Sequence, residues 1–247
     1  SGSSDGTVEA ARREPNVVVI DVGSKAWWSA AVNRGIELAL ADGATVILVM
    51  NDDIAFEGRI IPMLMEKHRS TPRSIISPLQ QTPSGDFAGT IYQGLFRRVR
   101  HLKHVPQNTI VETSNGCCLL IPSDVIWAAG KFDDKNCPHL YGDTEFQLRA
   151  RRYGYPTLVV PEIRIRQIDM TNYFSRLNLC SLFTYEGSPL HWRAYTTFGR
   201  QLYGSSLRFV FFGIYFHMDF VKVFIKIIKF LVKKKFNFKG AQNDAFN

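Results

Sequence analysis

In the first 77 residues of the chain, short continuous apolar runs alternate with segments in which apolar residues recur at helical spacing. Short apolar runs at 17–21 (VVVID), 45–50 (TVILVM) and 74–77 predict buried strands. Between these runs, apolar residues recur every three or four positions at 29–41 and 59–68, which predicts helices. Strands that alternate with helices favour a parallel, doubly wound α/β sheet.

The pattern changes in the middle of the chain. Residues 83–113 combine Gly, Pro and alternating apolar residues, and this predicts extended or hairpin structure. From about Tyr173 to Phe236 the pattern is mainly helical. Three further elements are predicted between these regions: a strand at 117–121, a helix at 143–153 and a strand at 156–161.

The net charge of +8 is concentrated at the end of the chain. Residues 205–247 contain eight lysines and arginines against two aspartates, so they carry +6 and leave +2 for residues 1–204. We therefore expect three parts, which are an α/β domain at 1–172, a helical extension at 173–204 and a basic tail at 205–247. The high isoelectric point belongs to the tail and is no property of the α/β domain.

The basic tail has the pattern of an amphipathic helix. Its aliphatic and aromatic residues cover most of the surface, and four lysines recur at spacings of four, three and four: Lys222, Lys226, Lys229 and Lys233. Such a helix is typical of a membrane interface, where each lysine near an anionic leaflet contributes roughly 1 kcal/mol. The alternative is a helix that packs on the protein's own domain or on a second subunit. Nucleic acid is not expected as a partner, because the aromatic residues follow the apolar face and form no stacking groove.

The cysteines indicate a reduced compartment. The chain has four, Cys117, Cys118, Cys137 and Cys180, and none forms a C-x-x-C pair. This spacing matches neither a zinc site nor the disulfide framework of a secreted protein. The polar first residues do not form a signal peptide, so we expect a cytosolic location.

A first group of polar residues, Asn51, Asp52 and Asp53, directly follows the predicted strand at 45–50. Ligands of an open α/β sheet bind beyond the carboxyl ends of its strands. Carboxylate oxygens at such a position suit a hard divalent cation that also binds diphosphate oxygens. The alternative is that Asp52 or Asp53 caps the next segment, and these residues alone favour neither interpretation.

A second acidic motif, YGDTEF, opens the predicted helix at 143–153. Asp143 and Glu145 lie in its first turn, where carboxylates cap N–H groups and interact with the positive end of the helix dipole. A carboxylate enclosed at a helix start can also serve as a general base. The motif by itself favours capping, but both roles are compatible, because the first turn also directs the side chain.

Five segments of the chain occur in a distinctive order: SGSSDGTVEAAR, WWSAAVNRGIELAL, VILVMNDDI, NGCCLLIP and FDDKNCPHLYGDTEFQLRARRYGYPTLVVP. Together they resemble family 2 glycosyltransferases of the GT-A fold, in the branch that includes rhamnosyltransferase-like and cell-surface polysaccharide enzymes. The resemblance covers residues 1–165. It implies a Rossmann-like, doubly wound mixed sheet, here followed by the helical, amphipathic C-terminal extension.

The resemblance assigns roles to both acidic motifs. NDD matches the family's D-x-D signature, which implies that Asp53 is the main ligand of Mg²⁺ or Mn²⁺. Asp52 would lie beside it, near the ribose or the metal, and Asn51 takes the first position of the signature without a charge. Asp143 matches the general base that removes the proton from the acceptor hydroxyl. Glu145 would be structural or would orient the acceptor.

Further donor-binding candidates come from the same resemblance. Asp5 in SSDGT would begin a helix or approach the nucleotide, although a solvated turn is an equal alternative. Trp28 and Asn33 match the segment that covers the donor, but tryptophan is more often a core residue. Arg166 and Gln167 stand where the family has a histidine that assists the metal, and Arg166 would contact the diphosphate.

The function implied is inverting, metal-dependent transfer of a sugar from a nucleotide-sugar donor to a hydroxyl of a glycan or lipid-linked acceptor, in cell-surface polysaccharide synthesis. Together with the basic tail, this implies a peripheral location at the cytoplasmic face of the bacterial inner membrane. Two alternatives remain. A nucleotidyltransferase would also use carboxylates and Mg²⁺, but it usually needs a glycine-rich phosphate loop. A catalytically degenerate, transferase-like scaffold is the other.

The start of the chain bears on the scaffold alternative. Family members normally have a further strand ahead of SSDGT, whereas this sequence starts at Ser1, which we interpret as a truncation. The missing strand and the Arg166-Gln167 pair favour a scaffold. The presence of Asp53 and Asp143 favours an enzyme.

Overall fold

The computed structural model describes residues 5–23, 26–94, 97–168, 181, 183–204, 221, 224–225 and 228–229. The chain divides into two compact units, Ser1–Met170 and Thr171–Asn247. The first unit contains the β-sheet and both acidic motifs.

Helices of the first unit form where the sequence is amphipathic. In the helix Trp28–Ala41 the buried residues Ser29, Asn33 and Ile36 recur at spacings of four and three, so one face of the helix packs inward. The three helices predicted from periodicity, at 29–41, 59–68 and 143–153, are confirmed. The helices are α1 (Thr7–Arg13), α2 (Trp28–Ala41), α3 (Ile60–Ser70), α4 (Ser123–Ala129) and α5 (Gly142–Arg152).

Strands of the first unit include the three apolar runs predicted at 45–50, 74–77 and 117–121. The strand predicted at 156–161 is confirmed and continues six residues further, to Gln167. The strands are β1 (Val46–Met50), β2 (Ile54–Phe56), β3 (Ile75–Thr82), β4 (Gly85–Phe87), β5 (Thr90–Gln93), β6 (Arg98–His101), β7 (Thr109–Val111), β8 (Cys118–Pro122) and β9 (Thr157–Gln167).

The main sheet is mixed and has the strand order β1-β8-β3-β9-β2. β8 is antiparallel to both of its neighbours, β3 and β9 are parallel, and β2 and β7 pair antiparallel with β9. β4 joins β3, and β5 and β6 form a separate hairpin. The mixed α/β sheet is therefore confirmed. The two strands of the predicted alternation that form, β1 and β3, run in the same direction, since each is antiparallel to β8, and β3 is parallel to β9. The antiparallel strand β8 lies outside that alternation.

Apolar side chains pack on both faces of this sheet. Because side chains alternate along a strand, Ile47 and Val49 of β1 join one cluster with residues of α2, α4 and α5. Leu48 and Met50 join the other cluster, with residues of α3. Burial of one such side chain stabilises the fold by about 1.5–3 kcal/mol. The carboxyl end of β1 is thereby held between two helical layers.

The strand predicted at 17–21 is wrong. These residues have no regular secondary structure, and Val17 and Val18 are 48% and 71% exposed. β1 is equally apolar, but it is a strand because β8 pairs with all five of its residues. An apolar, β-branched run forms a strand only where a neighbour completes its backbone hydrogen bonds.

The second unit contains α6 (Trp192–Tyr203), whose first turn is capped by the His191 ring, since His191 Nδ1 accepts a hydrogen bond from Ala194 N. The predicted tail at 205–247 lies outside the described residues, apart from helical positions 221, 224–225 and 228–229. Within the described parts of the chain, no helix is both long and apolar enough to cross a membrane.

Candidate active site

Asp53 lies between β1 and β2, at the carboxyl end of β1. Its carbonyl oxygen accepts a hydrogen bond from Ile168 N at 2.8 Å, next to the antiparallel pairing of β2 and β9. Its Oδ2 accepts a hydrogen bond from Gln167 Nε2 at 3.3 Å. Its Oδ1 is buried and has no hydrogen-bond partner among the described residues. One carboxylate oxygen is therefore bound by the protein, and the other is available to a ligand.

The two residues before Asp53 are placed differently from each other. Asn51 Oδ1 accepts a hydrogen bond from Trp28 Nε1 at 2.9 Å, and Asn51 N donates to Cys117 O at 2.9 Å. Asn51 thus connects the start of α2 to the end of β1. Asp52 is exposed, so its carboxylate faces solvent at the same end of the sheet.

Asp143 lies in the first turn of α5. Its Oδ2 accepts a hydrogen bond from Gly116 N at 2.7 Å, and its Oδ1 accepts one from Thr144 N at 2.7 Å. Burial raises the pKa of Asp143, and these N–H donors oppose the rise. A carboxylate with a raised pKa is a stronger base, which suits removal of a proton from a hydroxyl.

Gly116 allows the backbone to approach Asp143 closely. A Cβ at this position would lie 2.8 Å from Asp143 Cβ and 3.0 Å from the Trp28 ring. Only glycine therefore lets Gly116 N reach Asp143 Oδ2 while Trp28 keeps its place. Sequence reasoning missed Gly116, because an Asn-Gly pair is also a common turn signal.

The two acidic motifs meet at residues 116 and 117. Gly116 N donates a hydrogen bond to Asp143 Oδ2 at 2.7 Å, and the next residue, Cys117, accepts one at its carbonyl oxygen from Asn51 N at 2.9 Å. Burial raises the pKa of the Cys117 thiol, and the charges of Asp53 and Asp143 act in the same direction. NDD and YGDTEF, which are far apart in the sequence, share one site at the carboxyl end of β1.

Tyr92 of the β5–β6 hairpin is a further buried titratable residue. Burial raises the pKa of Tyr92 to about 12, and the charge of Asp143 contributes to the rise. The hairpin is held to the segment after β7, because Tyr92 N donates a hydrogen bond to Glu112 Oε2 and Thr90 N donates one to Thr113 O at 2.7 Å. No pattern in the sequence marks Tyr92, because these contacts join residues about twenty positions apart.

Two predicted donor-binding residues are anchored by other contacts. Asn33 uses both ends of its amide on one residue, since Nδ2 donates to Phe132 O at 2.9 Å and Oδ1 accepts from Phe132 N at 3.0 Å. Asp5 is exposed, and its Oδ1 accepts a hydrogen bond from Thr7 N at 3.2 Å. Asp5 therefore lies exposed just before Gly6, the N-cap of α1, and Asn33 ties α2 to the loop after α4.

Arg166 lies on β9, opposite Ala55 of β2. It is exposed and lines a groove with Glu57 and Met63. Because successive side chains of a strand point to opposite faces, the residue that reaches Asp53 is its neighbour Gln167. The structure therefore brings together Trp28, Asn51, Asp52, Asp53 and Asp143, but not Asp5, Asn33 or Arg166.

Comparison with protein families decides the relationship. A family model described as glycosyl transferase family 2 matches residues 1–125, which is half of the chain. The chain belongs to glycosyl transferase family 2. The matched residues include NDD and end before Asp143. Family membership and the mixed sheet together confirm the predicted GT-A α/β fold, and the rhamnosyltransferase-like branch remains a prediction.

Other comparisons add less to the family 2 assignment. No curated protein matches the chain. Among solved structures, the chain is similar to a crystal structure of GalNAc-T7 with UDP, GalNAc and Mn²⁺, at 12% identity and a TM-score of 0.45. The similarity covers 56% of this chain and 30% of that chain.

The family 2 site fits a divalent cation that takes most of its ligands from a diphosphate. Among the described residues, no three His, Cys, Asp or Glu side chains lie close enough together to hold a metal ion. Mg²⁺ is commonly bound through only one or two carboxylates, together with phosphate oxygens and water. The buried, unpartnered Oδ1 of Asp53 and the exposed carboxylate of Asp52 supply this smaller set.

Glu145 has a structural position. It is 1% exposed and forms a two-point ion pair with Arg149, with both N···O distances at 2.8 Å. Arg149 also donates hydrogen bonds to Ala129 O and Lys131 O. The pair therefore ties α5 to the end of α4, which is a structural contact.

Proposed function

We propose that this family 2 protein is an inverting glycosyltransferase that moves a sugar from a nucleotide-sugar donor to a hydroxyl group of a glycan or lipid-linked acceptor. The observation that carries the proposal is that two unlike carboxylates belong to motifs hydrogen-bonded to the consecutive residues Gly116 and Cys117. Asp143 has a raised pKa and two N–H donors, and Asp53 has one unpartnered oxygen. Glycosyl transfer needs both kinds, one to take a proton and one to hold a cation.

The proposed reaction is a single in-line displacement. Asp143 takes the proton of the acceptor hydroxyl, and the acceptor oxygen forms a bond to the anomeric carbon. The bond between that carbon and the diphosphate oxygen breaks, and the nucleoside diphosphate leaves with the electron pair. Attack opposite the leaving group inverts the configuration. Gly116 N and Thr144 N keep Asp143 aligned throughout.

Asp53, with Asp52 beside it, would hold Mg²⁺ or Mn²⁺, and the bound cation would neutralise charge on the leaving diphosphate. Asn51 has a different role, because its side-chain oxygen is engaged by Trp28. It positions Trp28 at the mouth of the site, where the ring also limits the space beside Gly116.

We extend the proposal to cell-surface polysaccharide synthesis at the cytoplasmic face of a bacterial membrane. The basic tail supports binding to an anionic surface, because its four lysines recur at helical spacing with apolar residues between them. Sedimentation with vesicles that contain phosphatidylglycerol, at low and high salt, tests it. Binding that salt weakens is the expected result, and a protein that never sediments contradicts the extension.

The first experiment is calorimetry with UDP, dTDP and GDP, each with and without Mn²⁺, on the protein and on Asp53→Ala. We expect one nucleotide to bind only with the metal and Asp53→Ala to abolish that binding. Metal-independent binding that Asp53→Ala leaves unchanged would contradict the proposal. In a turnover assay, release of free nucleoside diphosphate supports glycosyl transfer, whereas pyrophosphate would indicate a nucleotidyltransferase.

A further inference from the structure

The side chain that orients Asp53 belongs to Gln167, which lies 114 residues further along the chain. The antiparallel register of β2 and β9 places Ile54 opposite Gln167. This pairing is followed by the hydrogen bond from Ile168 N to Asp53 O at 2.8 Å. The backbone of Asp53 is thus held by β9, and Gln167 Nε2 then reaches the carboxylate at Oδ2, 3.3 Å away.

The hydrogen bond to Oδ2 determines which oxygen of Asp53 is left for a ligand. Oδ1 is buried without a hydrogen-bond partner in the described part of the chain, and a buried charged oxygen without a partner is costly. If the carboxylate could rotate freely, either oxygen could turn towards water or a backbone N–H. A donor at Oδ2 opposes that rotation and favours one direction for Oδ1.

A glutamine suits this task for a chemical reason. Its amide donates a hydrogen bond but carries no charge, so it orients Asp53 without neutralising it. An arginine or lysine at the same place would compete with a cation for the carboxylate. The neighbouring Arg166 does not compete in this way, because it lies on the other side of the strand and lines the groove near Glu57.

We propose that Gln167 is a positioning residue that determines the affinity of Asp53 for a divalent cation. The proposal rests on the proposed function, since it takes Asp53 as the metal ligand. Partners that orient metal ligands typically contribute 10–100-fold to metal affinity. We expect Gln167 to contribute in this range through the hydrogen bond to Oδ2.

The test measures Mn²⁺ binding directly, by electron paramagnetic resonance of free Mn²⁺ and by calorimetry, with Mn²⁺ alone and with Mn²⁺ plus UDP. Gln167→Ala should weaken Mn²⁺ binding about 10–100-fold, with an unchanged unfolding temperature. Gln167→Met should be as weak as Gln167→Ala, because methionine keeps the length of the side chain but has no N–H to donate to Oδ2. The matched control is Gln81→Ala, which removes a glutamine from the neighbouring strand, opposite Arg166, and should bind Mn²⁺ as the unaltered protein does.

The outcomes separate this proposal from the proposed function. If Asp53→Ala abolishes metal-dependent binding while Gln167→Ala binds normally, the positioning role is wrong and the proposed function stands. If Gln167→Ala is weak but Gln167→Met binds Mn²⁺ as the unaltered protein does, Gln167 is a packing residue and the proposal fails. If the unaltered protein binds no Mn²⁺ with any nucleotide, both proposals fail.

Discussion

The two carboxylates of the site are held in opposite ways. Both oxygens of Asp143 accept backbone N–H groups, whereas Asp53 has one oxygen bound by Gln167 and one without a partner among the described residues. A carboxylate whose two oxygens both accept hydrogen bonds keeps its remaining lone pairs in a constant direction, which a base requires. A carboxylate with only one hydrogen-bonded oxygen has the other oxygen left for a cation. In the proposed reaction, the same functional group would serve two purposes according to the number of donors around it.

Asp143→Asn should have the largest effect on the rate of transfer, and it should distinguish the role of Asp143 from that of Asp53. We expect the rate of sugar transfer to fall about 10²–10⁴-fold, because general-base catalysis contributes that much. Metal-dependent binding of the nucleotide should be unchanged. Initial rates and calorimetry on the same samples measure both quantities. Asp124→Asn, which alters a first-turn aspartate of α4, is the control, and an equal loss there would contradict the role of Asp143.

Gly116→Ala should disturb the base without removing it. The new Cβ would lie 2.8 Å from Asp143 Cβ, so Asp143 must shift, and a misplacement of about 1 Å can lower the rate about 100-fold. Steady-state kinetics should show the loss in kcat. Gly35→Ala, at a position of α2 with no atom within 4 Å of the added Cβ, should keep full activity. A fully active Gly116→Ala would show that the close approach is not needed.

The pH dependence of transfer tests the burial of Asp143. Burial raises its pKa, so the rate should fall about tenfold per pH unit on an acidic limb whose midpoint lies above the ordinary aspartate pKa of about 3.9. The same shift makes ionisation of Asp143 oppose folding. Its contribution to stability is therefore lost as the pH rises from the unfolded-state pKa through the folded-state pKa. A limb centred at or below the ordinary value would contradict the effect of burial.

Trp28→Phe should have the smallest effect. It removes the hydrogen bond from Trp28 Nε1 to Asn51 Oδ1, which should lower the free energy of unfolding by about 1 kcal/mol. Urea denaturation of this variant and of Trp127→Phe, a tryptophan that is 71% exposed, measures the difference. Equal unfolding midpoints for the two variants would show that the Asn51 contact does not stabilise the fold.

Sequence patterns predicted the parts of the site but not its assembly. The end of β1 and the start of α5 could be located because apolar periodicity changes there, and carboxylates at those ends are chemically informative. Gly116 could not be found in this way, and Gln167 was marked only by the family resemblance. Gly116 bonds Asp143 of a helix, and Gln167 bonds Asp53 from the end of β9. Each partner is distant in the sequence, and no local pattern records which distant residues the fold brings together.

The segments 17–21 and 45–50 show that prediction of secondary structure from local patterns has the same limit. Both are apolar and rich in β-branched residues, yet only the second is a strand, because β8 pairs with it. The chain's own pattern determined the amphipathic helices, the buried strands and the positions of the two acidic motifs, since these depend on side chains a few residues apart. Strand direction, the partner of each strand and the donors around each carboxylate depend on contacts between distant residues, and the tertiary structure alone decided them.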